Sequence, residues 1–370
     1  MTNNIIQQSP EWKQEKQLRI GGSEIFSLAF HYCQPELEKL GIDLIKEQPF
    51  KSALEIYLRV KFQCEEEPIL VVNAQYGLGM EDYITSRLNS ENQDLEIEGT
   101  RDFIINEDIH KLACCSPDGY VEVKEGQILR DFDDTCDITQ NMGKGTLEMK
   151  TTQHKFNYEA EAGTRFSYIF QLQYNMMLLG HQWGMLACLT PKDKEGDSDF
   201  FKGKILSQAD IIRSMPNETG GDPNLNGLVA LGAIYQHNIN ALYNLYTYTY
   251  PAIKPIQDIC KLALERFQTA LDNNKLPNPS RGNLDKLKRE KKMLAVIHPE
   301  RFDTLEADEG LNGLLSNRQT AFVEAKKATS EQKEYEIEIL KKMGDHIEIE
   351  GTEYKAKFDV RGALRFSKIK

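Results

Sequence analysis

The sequence predicts an α/β (α+β) fold, ordered as helices, a small sheet, a helix and strand, and a mostly helical C-terminal part. Three observations predict it: helical periodicity through the first ninety residues, a run of short alternating segments from about 95 to 151, and a helix followed at once by an apolar strand at 167–190. Residues 11–30 read as two helices broken at Gly21-Gly22, with Ser23 as the N-cap of the second because a serine after two glycines is a usual helix start. Segments 51–63 and 75–90 are helical. In the second, Met80, Ile84 and Leu88 stand one turn apart beneath a Gly77-Leu78-Gly79 lead-in, which places Glu81 in the first turn. The period then shortens in LEIEGTRDFIINEDI, KLACCSPDGYVEVK and GTLEMKTT, each bounded by turn residues, as strands are. SYIFQLQYNMMLLG at 167–180 carries Ile169, Leu172, Met176 and Leu179 at helical spacing, stops at Gly180, and leads into the strand WGMLACLT.

Further on the pattern loosens. Residues 191–227 are polar, Gly-rich and broken by Pro, and read as a long loop or as strands joined by an excursion. Helices are expected at 227–245 and 254–272, then a linker at NNKLPNPSRGN, helices at 282–294 and 314–343, and a hairpin at 346–367. The organisation expected is a core over 1–275 with insertions at about 120–146 and 191–227, and a mostly helical accessory region over 281–370 that ends in the hairpin.

Composition narrows the class. At 370 residues, 40% hydrophobic and 28% charged, the chain suits a folded enzyme and is too apolar for a disordered one. It has no run of 18 apolar residues, and MTNNIIQQSPEWKQEKQ is polar, so a cytoplasmic protein is expected, with no membrane partner. The seven Cys are scattered without a CxxC pair, which argues for reduced thiols and against a zinc finger, and the seven His form no HExxH. No phosphate-cradling P-loop is present. The net charge of −12 opposes a polyanion at long range, yet 281–292 and 354–370 are locally basic, so any nucleic-acid path has to be local.

The sharpest chemical signal is Ser116-Pro117-Asp118-Gly119 followed by Glu148-Met149-Lys150. On a strand, Glu148 and Lys150 share one face while Leu147 and Met149 point to the other. Asp118, in a turn at a strand end, can reach the same face. Two carboxylates and an ammonium suit phosphodiester hydrolysis: hard oxygen ligands for Mg²⁺, and a cation near the attacking water or the developing charge. Glu81 is the natural third carboxylate. Taken singly, an ExK on a strand is commonly a solvated salt bridge and SPDG a β-turn, and the order of the motifs is what favours chemistry.

RIGGSE at 19–24, the glycine-flanked approach to Glu81, CSPDG at 115–119, LEMK at 147–150 and QLQYNMM at 171–177 together resemble, in order, the motifs of the lambda-exonuclease and YqaJ-like nucleases of the PD-(D/E)xK class, over about residues 10–190. The resemblance implies a restriction-endonuclease-like core, a central mixed sheet flanked by helices, in which Asp118, Glu148 and Glu81 bind Mg²⁺, with Mn²⁺ as a substitute, and Lys150 assists the nucleophilic water. It further implies that Arg19, Ser23, Ser116 and Gln171 hold the 5′-phosphate of a DNA end, Gln171 thereby belonging to the catalytic group. The activity implied is 5′-to-3′ digestion of linear duplex DNA to leave 3′ overhangs for strand annealing in a phage, prophage or mobile element. Partners implied are duplex DNA ends, a single-strand annealing protein and copies of the chain in a trimeric ring. Two alternatives stand beside it: an endonuclease of the same fold, and a non-catalytic DNA-end-binding or assembly protein. Ser23 as a simple cap and Arg19 as a surface ion pair are the plainer readings of those two residues.

Overall fold

The computed structural model describes residues 5–6, 9–45, 47–64, 71–131, 136–151, 165–191, 243–280, 283–297, 309–343, 348–350, 354–358 and 364–368. The loop expected at 191–227 and the helix expected at 227–245 fall almost wholly outside the described residues. The chain divides into two compact units, Met1–Pro299 and Glu300–Lys370.

The first unit runs β1 (Ile5–Ile6), α1 (Pro10–Leu18), α2 (Gly22–Tyr32), α3 (Gln34–Lys39), α4 (Ala53–Phe62), α5 (Val71–Glu91), β2 (Leu95–Gly99), β3 (Asp102–Ile105), β4 (Cys114–Cys115), β5 (Gly119–Val123), β6 (Ile128–Arg130), β7 (Asp137–Thr139), β8 (Gly145–Thr151), α6 (Phe166–Leu179), β9 (Trp183–Pro191), β10 (Tyr243–Pro251), α7 (Lys254–Asp272) and α8 (Leu284–Val296). Its central sheet has the order β10-β9-β8-β5-β2. β8 and β9 are parallel, with Glu148 opposite Leu186, and the other pairs are antiparallel. A parallel pair needs a crossover, and α6 supplies it.

Alternation along the strands sorts the two faces. Val121, Leu147, Met149, Met185 and Ala187 pack with Met80, Ile84 and Leu88 of α5. On the other face Leu186, Cys188 and Tyr250 pack with Leu172 and Met176 of α6. Behind α6 lies a helical layer in which Phe26 of α2 meets Phe170, and Tyr57 of α4 meets Phe267 of α7. The sheet is thus covered by helices on both faces. Glu148 lies on the α6 side, so its carboxylate is enclosed rather than washed by solvent. Glu148 is fully buried, unlike the solvated salt bridge that an ExK on a strand commonly forms.

Four other expectations change. The fifth helix begins at Val71, which puts Glu81 in mid-helix rather than in a first turn, because Gly77 and Gly79 are carried inside the helix. The N-cap of α2 is Gly21, whose backbone N–H is met by Glu24, and Ser23 sits exposed inside the first turn. Residues 243–245 begin a strand, and Tyr246, Tyr248 and Tyr250 face α6 from β10. In the second unit α9 (Glu309–Met343) precedes β11 (Glu348–Glu350), β12 (Tyr354–Phe358) and β13 (Leu364–Lys368), and the first of these strands widens the expected hairpin to a three-stranded antiparallel sheet.

The basic stretch at 281–292 is partly structural. Met293 packs with Leu54 and Leu58 of α4, Arg289 pairs with Glu55 at 2.5 Å, and Lys286 is buried. Those residues are not available as one continuous cationic stripe. The seven cysteines are free thiols, and among the described residues no helix is long and apolar enough to cross a membrane.

Candidate active site

Asp118 and Glu148 meet because β5 and β8 are antiparallel with Gly119 opposite Leu147, which sets Asp118 beside Glu148 across the pair. Gly119 is required at that register: a Cβ there would stand 2.5 Å from the Glu98 carbonyl oxygen. Asp118 Oδ2 accepts the Met149 N–H at 2.7 Å, which fixes the aspartate against the strand. Glu148 accepts hydrogen bonds from three side chains. Lys150 Nζ and Gln171 Nε2 reach Oε1, and Asn175 Nδ2 reaches Oε2 at 3.0 Å. Gln171 and Asn175 are one turn apart on α6, so one helix face delivers both amides.

The charges are strained against one another. Burial, reinforced by Asp118, pushes Glu148 up to about 8, with Lys150 opposing. Burial also raises Asp118, against the pull of Lys150 and the Met149 N–H. Lys150 is held protonated: burial alone would lower its pKa, but Glu148 and Asp118 raise it on balance. Glu81 rises to about 7 through burial and the proximity of Asp118, while Arg101 and Lys150 pull the other way. Glu81, Thr100, Arg101, Asp118 and Met149 line one cavity of about 380 Å³. A carboxylate pair, a third carboxylate on the rim and one ammonium thus converge at the junction of α5, β5 and β8.

The residues expected to grip a 5′-phosphate divide. Gln171 joins the carboxylate cluster through Glu148. Gly22, next to Ser23, lies against the same helix face, since a Cβ on it would stand 2.5 Å from Asn175 Oδ1 and 3.0 Å from Gln171 Cγ. Ser23 is exposed and Ser116 half-buried. The Arg19 guanidinium is engaged by Glu15 at 3.0 Å, Glu107 at 2.9 Å and the Lys111 carbonyl. Its position depends on Arg59, which donates to the carbonyls of Lys16, Gln17 and Arg19 and pairs with buried Glu24 at 2.7 Å. Three residues at the site escaped the sequence reading. Asn175 was recoverable as the i+4 neighbour of Gln171, whereas Arg101 and Tyr168, over whose ring Lys150 sits at 5.5 Å, carry no local signal.

Among the described residues no three His, Cys, Asp or Glu side chains form a ready-made metal cage. The donors present still fit Mg²⁺, which takes one or two protein carboxylates and keeps several waters. Asp118 and Glu148 are adjacent oxygen donors whose mutual repulsion a divalent cation would relieve, and Asn175 Oδ1 is buried there with no hydrogen-bond partner among the described residues.

No family model matches the chain, and no curated protein does. Among solved structures it is similar to an alkaline exonuclease, LHK-Exo, from Laribacter hongkongensis, at 13% identity and a TM-score of 0.40. LHK-Exo in complex with dAMP gives 13% and 0.39, and in both cases the match covers 78% of this chain and 100% of the other. The likeness is loose.

Proposed function

We propose that the protein is a metal-dependent DNA exonuclease acting 5′-to-3′ on linear duplex DNA, in the recombination of a phage, prophage or mobile element. The observation that carries the reading is the meeting of Asp118, Glu148 and Lys150 at the β5–β8 junction with Glu81 on the rim. Asp118 and Glu148 would hold Mg²⁺ or Mn²⁺, with Glu81 as the outer carboxylate. When bound, the ion supplies Lewis acidity toward the phosphate and a lowered pKa for water. Lys150 places a positive charge where negative charge develops. Gln171 and Asn175 hold the Glu148 carboxylate in one orientation, and Asp118 is held by the Met149 N–H.

End-labelled linear duplex and closed circular plasmid, each with Mg²⁺ and with chelator, test the proposal. Release of nucleotides from the linear duplex only, abolished by chelator, is the expected result. Cleavage of the closed circle would replace the exonuclease with an endonuclease, and inertness of both substrates in Mg²⁺ and Mn²⁺ would leave a DNA-end-binding role.

A further inference from the structure

A second cavity, of about 470 Å³, lies between the starts of α4 and α8, and Ser27, His31, Gln34, Ser52, Ser280 and Lys286 are among its walls. None of these residues belongs to the carboxylate cluster. Lys286 is 5% exposed, and its ammonium makes no hydrogen bond or ion pair among the described residues; only its backbone N–H is bonded, to the Asn283 side chain at 3.0 Å. Ser27 as a whole residue is 3% exposed, and its hydroxyl is likewise unpartnered among the described residues. The ammonium is partly buried beside the cavity with no partner among the described residues, and burial lowers the Lys286 pKa.

Two carboxylates act on Lys286 through space, and both are already engaged. Glu55 accepts from the Ser52 N–H and from Arg289, and Glu290 from the Ser280 N–H and hydroxyl. The Ser52 Oγ accepts the Glu55 N–H at 3.1 Å as the N-cap of α4, which leaves its proton to donate. Asn283 caps α8 three residues before Lys286. The starts of two helices, of ten and thirteen residues, therefore add positive potential beside the same ammonium.

We propose that this cavity binds a small oxyanion, a phosphate or phosphate monoester, with Lys286 as the charged partner and Ser27 and Ser52 as hydroxyl donors. The site is independent of the hydrolytic reading: an anion there supplies the counter-charge that Lys286 lacks.

Isothermal titration of the full chain with inorganic phosphate, and separately with a deoxynucleoside 5′-monophosphate, against chloride at equal ionic strength, tests the proposal. Saturable binding of either is expected. Equal affinities assign the site to free phosphate, and tighter monophosphate binding assigns the remaining volume to an attached sugar and base. Lys286→Met keeps the apolar stem and removes the charge, so it should weaken binding about tenfold or more, as loss of a charged hydrogen bond does. It should also melt no lower than wild type in chloride. Where that variant fails to fold, Ser27→Ala, expected to weaken binding about fivefold, decides the matter. No saturable phosphate binding by the wild type, or unchanged affinity in the folded variants, overturns the proposal.

Discussion

Glu148→Gln separates a metal site from a structural ion pair. The folded state holds Glu148 up to about 8 against an ordinary 4.5, so ionising it weakens the fold. For an acid whose pKa is raised by folding, stability falls as pH rises from the unfolded value through the folded one, here across about 4.5 to 8. At about 1.4 kcal/mol per pH unit, the penalty reached at pH 7 is about 3 kcal/mol for the carboxylate, with Lys150 already paired to it. The neutral amide of the variant would mimic the protonated group and keep the contact with α6. In chelator the variant should therefore melt above wild type, by about 2–4 °C for each kcal/mol recovered. Mg²⁺ should reverse the order. At a thousand times its Kd an ion stabilises wild type by about 4 kcal/mol, more than the penalty it offsets, and the variant, having lost a ligand, should barely respond. Thermal denaturation followed by circular dichroism, in chelator and across a Mg²⁺ series at pH 7, reads both effects. A variant that melts below wild type in chelator, beside a wild type indifferent to Mg²⁺ and Mn²⁺, would refute the reasoning and make Glu148 and Lys150 a structural pair.

Gly22→Ala should lower nuclease activity at least tenfold while costing about 1–3 kcal/mol of stability, because its methyl would press on Asn175 and Gln171 and turn them from Glu148; parallel rate and melting measurements check it. Gly119→Ala should be more damaging, since the obstacle is the Glu98 carbonyl of a neighbouring strand, and a soluble variant with the wild-type denaturation midpoint would contradict the register. Burial would raise Glu24, but Arg59 and Lys51 hold it down to about 2, so its contribution is complete above about 4.5 and disappears as pH falls toward 2. Glu24→Ala, which takes from buried Arg59 its paired carboxylate, should cost about 3–5 kcal/mol at pH 7 and flatten the acid limb of the stability curve.

What the sequence made legible, and what it hid, follows from the range of the forces involved. Residues 147–150 read correctly as a strand because side-chain alternation is local, and α6 read correctly because its stripe closes at Gly180, whose φ of +70° is the left-handed stop expected of a glycine. The convergence of Asp118 with Glu148 depends on a register between strands far apart in the chain, and only the order of the motifs hinted at it. The enclosure of Glu148 was not legible. Period-2 alternation marks a face as polar but cannot say whether water or a second helix covers it, and here α6 returns over the strand with two amides. Ser23 illustrates the opposite error: its neighbours suited a cap, but the helix begins two residues earlier because Glu24 reaches back to the Gly21 N–H at 3.2 Å. The opening residues of the strand at 243–251 were read as the end of a helix, and the pairing that makes them a strand comes from β9, much earlier in the chain.

The burial of Trp183 makes the protein its own spectroscopic probe. The chain has two tryptophans. Trp183 is wholly buried, donates its indole N–H to the Gly143 carbonyl at 2.9 Å, and lies so close to Gly145 that a Cβ there would stand 2.6 Å from the ring. Gly145 begins the strand that carries Glu148 and Lys150, so the emission of this indole reports whether the paired ends of β8 and β9 remain closed. Trp12, edge-on to Phe103 with Lys16 over its ring, would contribute a second signal from outside the central sheet. In a Trp12→Phe background, a red shift during denaturation would time the opening of the strands beneath the site, and a spectrum unmoved by Mg²⁺ would show that ion binding leaves that end of the sheet shut.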